Sequence, residues 1–254
     1  MTDQEVVTLS TSHIVSLMII GLGCAASALL RQASGLNSLG FSPRRAACLL
    51  LAGILIANFV FEQCYELLVG TWSIRESLPL HLCDIAVAAT VVALIGAANQ
   101  NSRRPQPSIV YELAFYWGLG GTLQAILTPD LEQAFPSPRF FTYFIGHGTI
   151  VISAAALTLG IGMRPRPWSA LRVWLITNAT ALPVLAVNYF LGSNYMFLCG
   201  APTASTVLNY LGEWPWPYLF LLDLLALGIM SACYGLYRIA ASFLLIQLPV
   251  NDSR

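Results

Sequence analysis

Two short stretches of this sequence carry side chains that can do covalent chemistry within apolar surroundings. LPLHLCDIAV holds His81, Cys83 and Asp84 within four residues, and FIGHGTI places His147 between two glycines. A cysteine and a histidine brought together from two helices would have the arrangement of a nucleophile and its general base. The two stretches therefore predict that Cys83 acts as a nucleophile and that His147 activates it. The alternative for His147 is a histidine that only bonds a neighbouring helix.

Helical spacing separates the three polar residues of the first stretch. On a helix, residues three apart share a face and residues two apart point to nearly opposite sides. His81 and Asp84 are thus expected to meet, while Cys83 points away from His81. A metal site using His81 and Cys83 together would require an unwound helix, and no second Cys or His cluster supplies further ligands. We predict no metal and no cofactor. The alternative for Cys83 is a small buried cysteine beside a His81–Asp84 pair that ties helices together.

The helix that carries Cys83 is expected to begin just before it. Ser77 is a plausible N-cap and Pro79 suits the first turn, which gives a helix starting at about residue 78. Cys83 would then lie near the positive end of the helix dipole, a position that favours a thiolate.

Neutral polar side chains accompany the cysteine and the histidines. The stretch VNYFLGSNYMFLCGAP supplies Asn188, Asn194 and Tyr195, and Gln124 lies near the end of an earlier apolar stretch. Such groups can orient a lipid headgroup or hold an acyl carbonyl oxygen as negative charge develops on it. We predict that they bind substrate together with His81 and Asp84.

The elements that position these residues are membrane helices. Of the 254 residues, 57% are hydrophobic and only 9% are charged, against roughly 25% charge in an average soluble domain. Apolar stretches near the length of a membrane span must be helical, because backbone polar groups in lipid need internal partners. We predict an all-α, polytopic bundle that forms a single domain over residues 1–254. Its seven transmembrane helices lie at about 13–30, 46–69, 78–98, 109–127, 139–161, 170–191 and 214–241.

The arginines predict the orientation of this bundle. Ten of the 12 basic residues, all arginines, fall in one set of alternate connections, and only Arg75 and Arg139 fall in the other. The positive-inside rule then places the N-terminus outside and the C-terminus in the cytosol. Asp3 and Glu5 precede the first apolar run with no basic residue, so we expect no cleaved signal peptide. Zero net charge and the absence of a basic stripe exclude a nucleic-acid partner.

Most ionisable residues inside the predicted helices lie in the outer half of the bundle. Such residues are costly in hydrocarbon and usually mark a cavity or a reaction centre. This placement also supports a second class of function, a non-catalytic transporter or small-ligand-binding protein. Its coupling groups would be four carboxylates: Glu62, Glu66, Asp84 and Asp223. A retinal-type photoreceptor is disfavoured because the sequence has no lysine.

Four linked motifs resemble a known family. LPLHLCDIA, FYWGLGGTLQAILTPDL, PRFFTYFIGHG and VNYFLGSNYMFLCGAP are similar, in the same order, to the YwaF-like bacterial integral membrane proteins, which are related to animal transmembrane protein 164. The resemblance implies a phospholipid acyltransferase that moves a fatty acyl chain onto a lysophospholipid, with one essential cysteine and one essential histidine. By motif these residues are Cys83 and His147. It also implies membrane lipids as partners and a location in the bacterial cytoplasmic membrane. The oligomeric state stays open.

Overall fold

A computed structural model describes residues 8–31, 42–100, 106–131, 133–203 and 206–246. In this part of the chain the fold is helical and no strand is present. The principal helices, in chain order, are α1 (Thr11–Leu29), α2 (Pro43–Val69), α3 (Leu82–Ala98), α4 (Ile109–Tyr116, then a π-helical turn at Trp117–Thr122, then Leu123–Leu127), α5 (Pro138–Ala155 with a π-helical end at Ala156–Ile161), α6 (Ser169–Leu191) and α7 (Tyr218–Ile246). Two short 3-10 helices, Tyr195–Phe197 and Val207–Tyr210, lie between α6 and α7.

Each helix corresponds to one of the predicted apolar stretches. Five of them, α1, α2, α5, α6 and α7, are long and apolar enough to cross a membrane. The other two fall short of that length, since α3 has 17 residues and α4 is interrupted by its π-helical turn. An all-helical membrane protein is therefore confirmed, whereas seven spans and the orientation stay predictions. Part of the orientation argument lies outside the described residues, namely Arg103, Arg104, Arg254, Asp3 and Glu5.

The predicted start of α3 is wrong. Ser77 does not cap this helix, because its hydroxyl accepts the backbone N–H of Ser73 (3.0 Å) in a separate turn. The helix begins four residues later, at Leu82, with His81 as its N-cap. Asp84 determines this start, because its carboxylate accepts the backbone N–H of His81 (3.1 Å) and so satisfies one of the free donors at the helix end. Cys83 consequently lies within the first turn.

The other helix starts follow ordinary capping rules. The side chains of Ser10, Ser42, Ser108 and Ser137 each accept the backbone N–H three residues later. The predicted last helix starts too early, because the WPWP stretch at 214–217 lies in a turn and α7 begins at Tyr218.

Helix α5 is the centre of the bundle. It packs against α1, α2, α3 and α4, and 67% of its membrane-length window is buried. The approach of α4 is close at Gly118, where an added Cβ would lie 3.3 Å from side-chain atoms of Ile150 and Ala154. Helices α6 and α7 pack against each other and against α4. Successive helices run in opposite directions, so one end of the bundle holds the first residues of α1, α3, α5 and α7 and the last residues of α2, α4 and α6. We call this end the site end.

The opposite end of the bundle is held by a buried ion-pair cluster. The carboxylate of Glu112 on α4 is fully buried and accepts hydrogen bonds from two guanidiniums, those of Arg166 (2.9 and 3.0 Å) and Arg172 (3.0 and 3.4 Å). Its Oε1 also accepts the backbone N–H of Arg166 (3.1 Å). The carboxylate raises the pKa of Arg166, which lies in the connection between α5 and α6. This cluster fixes α4 to the start of α6 without contributing to the site end.

Candidate functional site

Cys83 is the second residue of α3 and its side chain is partly buried. The backbone N–H groups of Cys83 and Asp84 lie close to its sulfur. These are among the N–H groups of a first helical turn that have no partner within the helix, and they carry the positive end of the helix dipole. The late start of α3 therefore places the thiol closer to the helix end than the sequence predicted, with the carboxylates of Asp84 and Glu62 also near it. Stabilisation of a thiolate at this position stays a prediction.

His81 and Asp84 do not pair through their side chains as the spacing predicted. The Asp84 carboxylate bonds the backbone of His81, as described above. The His81 imidazole turns instead towards the segment after α6, where its Nδ1 accepts the backbone N–H of Met196 (3.4 Å). Its ring also lies against the rings of Tyr195 and Phe197, with centroids 5.2 and 5.5 Å away. The physical reason is the N-cap position, whose non-helical backbone directs the side chain away from the face of the helix.

His147 lies in the middle of α5 with a fixed ring orientation. Its Nδ1 lies 2.9 Å from the carbonyl oxygen of Tyr143, and its ring stacks on that of Tyr143 at a centroid distance of 4.2 Å. The flanking glycines serve helix packing: a Cβ on Gly146 would lie 2.8 Å from Asn58 of α2, and one on Gly148 would lie 2.7 Å from Ile20 of α1. Neighbouring helices, rather than a ligand, thus account for the two glycines beside His147.

Helix lengths favour a similar depth for Cys83 and His147. Helix α3 has 17 residues and the α5 span has 24, which correspond to roughly 25 and 36 Å. Because α3 packs against the π-helical end of α5, the shorter helix begins well inside the site end. Their surroundings are also near each other, since Tyr143 lies within electrostatic range of the Cys83 thiol and His147 lies within electrostatic range of His81. Among the described residues no hydrogen bond joins Cys83 to His147.

Tyr195 joins the two irregular segments that close the site end. Its side chain is fully buried, and its hydroxyl accepts the backbone N–H of Leu78 (3.0 Å) and donates to the carbonyl oxygen of Ile74 (2.8 Å). Irregular backbone that is buried in a protein needs protein groups to satisfy its polar atoms. Burial raises the pKa of Tyr195, so the neutral phenol keeps both its donor and its acceptor. Tyr195 therefore positions the segment that leads into His81 and Cys83.

Asn188 and Asn194 order the same loop. The Asn188 amide donates to the carbonyl oxygen of Tyr195 (2.9 Å), and its oxygen accepts the N–H of Tyr195 (2.9 Å) and the hydroxyl of Ser193 (2.8 Å). Asn194 bonds the backbone of Gly200 (3.0 Å) and Cys199 (2.9 Å). These amides are occupied by protein groups, so the geometry supports a positioning role. Their contact with a substrate stays a prediction.

Gln124 lies in the last turn of α4, near the same end of the bundle. Its amide nitrogen donates to the Thr128 hydroxyl (3.1 Å), and the neighbouring carbonyl of Ala125 accepts the hydroxyl of Tyr143 (2.8 Å). Gln124 therefore belongs to the wall that holds Tyr143 and, through it, His147. Direct contact of Gln124 with a substrate stays a prediction as well.

The carboxylates fall into two groups. Glu62 and Glu66 on α2 interact electrostatically with Asp84, and Glu66 forms an ion pair with Arg139 (3.1 Å). One oxygen of Glu66 is buried and has no hydrogen-bond partner among the described residues. Asp223 is separate from them, on α7, where it accepts the amide of Asn178 on α6 (2.8 Å). The described residues contain no group of three or more His, Cys, Asp or Glu that could hold a metal ion.

Two structural features at the site were missed from the sequence. The first is the π-helical turn in α4, whose exposed Gly121 would bring a Cβ 3.5 Å from Leu82, the residue before Cys83. The glycine-rich stretch WGLGGT coincides with this turn, and π-helical turns are frequent at functional sites. The second is a pair of left-handed residues, Met196 (φ 58°) and Phe197 (φ 55°), beside His81. No sequence signal marks the second, because neither residue favours positive φ.

The chain is similar to a known protein family. The family model described as the TMEM164 family matches residues 8–234, a range that includes α1 through α6 and most of α7. No curated protein and no solved structure shows significant similarity to the chain.

Proposed function

Since this chain belongs to the TMEM164 family of membrane proteins, we propose that it is an intramembrane acyltransferase, or a lipase that shares the first half-reaction. In this proposal Cys83 is the nucleophile and His147 is its general base. The substrates are a phospholipid as acyl donor and a lysophospholipid, or water, as acceptor. The closer relation to YwaF-like bacterial proteins and a place in the bacterial cytoplasmic membrane belong to the same proposal.

The proposal is supported by helix lengths that favour a similar depth for Cys83 and His147, and by a histidine whose Nε2 bonds no protein group among the described residues. Cys83 lies in the first turn of α3, where backbone N–H groups face the sulfur. His147 uses its Nδ1 on the Tyr143 carbonyl. A carbonyl oxygen can only accept, so Nδ1 carries the proton and Nε2 keeps its lone pair. This is the tautomer that a general base requires.

The chemistry proceeds in two balanced steps. His147 Nε2 takes the thiol proton of Cys83, the sulfur attacks the ester carbonyl carbon, and the ester C–O bond breaks. The proton on His147 passes to the departing oxygen, which releases a lysophospholipid and leaves an acyl thioester on Cys83. An acceptor hydroxyl then gives its proton to His147 and attacks the thioester. The C–S bond breaks, the sulfur regains the proton, and the acyl group leaves as a new ester or, with water, as a fatty acid.

The test is lipid remodelling in vesicles that contain the purified protein, a labelled phospholipid and an unlabelled lysophospholipid. We expect Cys83→Ala to abolish label transfer. Cys64→Ala is the matched control, because Cys64 is an exposed cysteine on α2, and it should retain wild-type transfer. Wild-type transfer by folded Cys83→Ala protein would contradict the mechanism.

The carboxylates favour a second candidate function, a non-catalytic transporter or small-ligand-binding protein. Glu62, Glu66 and Asp84 interact with one another at the site end, balanced nearby by Arg139. Such a group can couple a solute to protons. This function predicts that Cys83→Ser retains activity, that Glu62→Gln abolishes it, and that sealed vesicles show electrogenic uptake. An acyl adduct on Cys83 with no solute-dependent current would count against it.

A further inference from the structure

The three histidines of the described chain differ in how their ring nitrogens are used. His13 on α1 is fully buried and both nitrogens have protein partners: Nδ1 accepts the backbone N–H of Leu9 (3.0 Å) and Nε2 lies 2.8 Å from the carbonyl oxygen of Ile126. His13 is thus a structural residue. His81 and His147 each bond the protein through Nδ1 alone. Among the described residues, their Nε2 atoms bond no protein group.

The protein groups that bond Nδ1 fix opposite tautomers in these two histidines. The carbonyl of Tyr143 can only accept, so His147 carries its proton on Nδ1. The backbone N–H of Met196 can only donate, so Nδ1 of a neutral His81 is the acceptor and the proton lies on Nε2. His147 therefore offers a lone pair at Nε2, while His81 offers an N–H donor at the same ring position.

The contact that fixes His81 is maintained at a conformational cost. Met196 and Phe197 are consecutive non-glycine residues with φ of 58° and 55°, and each such residue costs roughly 1–2 kcal/mol. The amide of Asn188 bonds both the N–H and the carbonyl oxygen of Tyr195, directly before them. Strain of this kind persists only where surrounding bonds impose it, and it concentrates at functional sites. Here it directs the Met196 N–H at His81.

We propose that His81 donates its Nε2–H to the acyl carbonyl oxygen of the substrate and stabilises the negative charge that develops there when Cys83 attacks. This inference rests on the proposed acyl-transfer function. His81 precedes Cys83 by two residues at the same helix end, and its imidazole lies within electrostatic range of that of His147. The two histidines then have complementary tasks, because one removes a proton from the nucleophile and the other donates a hydrogen bond to the oxyanion. His81 transfers no proton in this role.

Two substitutions separate this task from a structural one. In His81→Asn, the amide oxygen can take the place of Nδ1 and keep the bond from Met196, but no donor remains at the position of Nε2. In His81→Gln, the amide nitrogen can reach the position of Nε2 and keep the donor, while the bond from Met196 is lost. We expect His81→Asn to lower kcat about 100- to 1000-fold with little change in KM, as loss of an oxyanion donor does. We expect His81→Gln to stay within about tenfold of wild type. A purely structural role predicts the reverse order.

The measurement is the rate of thioester formation on Cys83, followed by intact-protein mass spectrometry after mixing with phospholipid vesicles. A faster His81→Gln than His81→Asn supports the inference. Equal rates, or a faster His81→Asn, overturn it while leaving the proposed function intact. Absence of any thioester in the wild type overturns the proposed function and this inference with it.

A measurement on the wild type keeps the test independent of folding defects in the variants. Nitrogen-15 NMR of histidine-labelled protein in vesicles distinguishes Nδ1-protonated from Nε2-protonated neutral rings. The His81→Gln spectrum identifies the His81 signals, since the sequence has only three histidines. We expect the Nε2-protonated form at His81. An Nδ1-protonated His81 would overturn the inference whatever the variants do.

Discussion

Tyr195→Phe removes one hydroxyl and should destabilise the site end of the bundle. That hydroxyl accepts the N–H of Leu78 (3.0 Å) and donates to the carbonyl oxygen of Ile74 (2.8 Å). The tyrosine side chain is fully buried. Phenylalanine preserves the ring and its packing against His81 but leaves one donor and one acceptor of the backbone without a partner.

The expected magnitude follows from these two groups. A buried polar group left unpaired costs about 1–3 kcal/mol. Both hydrogen bonds are only partly buried, so each group should cost about 1–2 kcal/mol and the substitution should lower the free energy of unfolding by about 2–4 kcal/mol. For a chain of this length that corresponds to a fall in Tm of roughly 5–15 °C. Tyr189→Phe is the matched control, since it is the same change at a side chain that is 83% exposed, and it should stay within about 0.5 kcal/mol of wild type.

The assay is thermal unfolding of both variants in the same detergent. Equal Tm values for Tyr195→Phe and Tyr189→Phe would refute the claim that Tyr195 holds the segment leading into α3.

The pH dependence of stability gives a second check, because burial raises the pKa of Tyr195 in the folded protein above its usual value. The stabilisation should be fully present below the pKa of a free tyrosine and be lost as the pH rises through the higher pKa of the folded state. Tyr195→Phe should lack this alkaline loss.

Two further predictions concern the bundle away from Cys83. Glu112→Gln should lower the free energy of unfolding by about 2–3 kcal/mol. This is less than the cost of breaking a fully buried ion pair, because both guanidiniums are partly exposed. Acyl transfer per folded molecule should persist, and a Tm equal to that of the exposed control Glu213→Gln would contradict the prediction. Gly160→Ala should destabilise by about 1–3 kcal/mol or more, because its Cβ would lie 2.5 Å from the backbone oxygen of Ser27. Gly53→Ala is the control, because no atom lies within 4 Å of the added Cβ, and it should stabilise the protein by about 0.5–1 kcal/mol. Tm shifts of the same sign for Gly160→Ala and Gly53→Ala would refute the packing argument.

The helices with clear ends were predictable from the sequence, and those with competing signals were not. Apolar runs of membrane length predict α5 as 139–161 and α6 as 170–191, and the helices are Pro138–Ile161 and Ser169–Leu191. The prediction of where α3 begins was wrong because two possible helix caps compete. Ser77 is the better N-cap by residue type, yet its hydroxyl serves a local turn while Asp84 bonds the N–H of His81. Local sequence does not reveal which bond prevails.

The surroundings of the candidate site residues could not be predicted from the sequence, and the catalytic roles of these residues stay predictions. Predicting a similar depth for Cys83 and His147 required only helix order and length. The loop at 193–200 could not be predicted, because its shape depends on Tyr195 reaching Ile74 and Leu78 more than a hundred residues away. The tautomers of His81 and His147 also depend on single backbone contacts that no sequence pattern encodes.

The central claim is that Cys83 carries an acyl group during the reaction. Intact-protein mass spectrometry after incubation with a phospholipid of known acyl chains tests it most directly. We predict a mass increase equal to one acyl group that hydroxylamine removes, that persists in Cys64→Ala and that is absent in Cys83→Ala. An unmodified wild-type mass under conditions where lipid remodelling proceeds, or an adduct that survives in Cys83→Ala, would contradict the account.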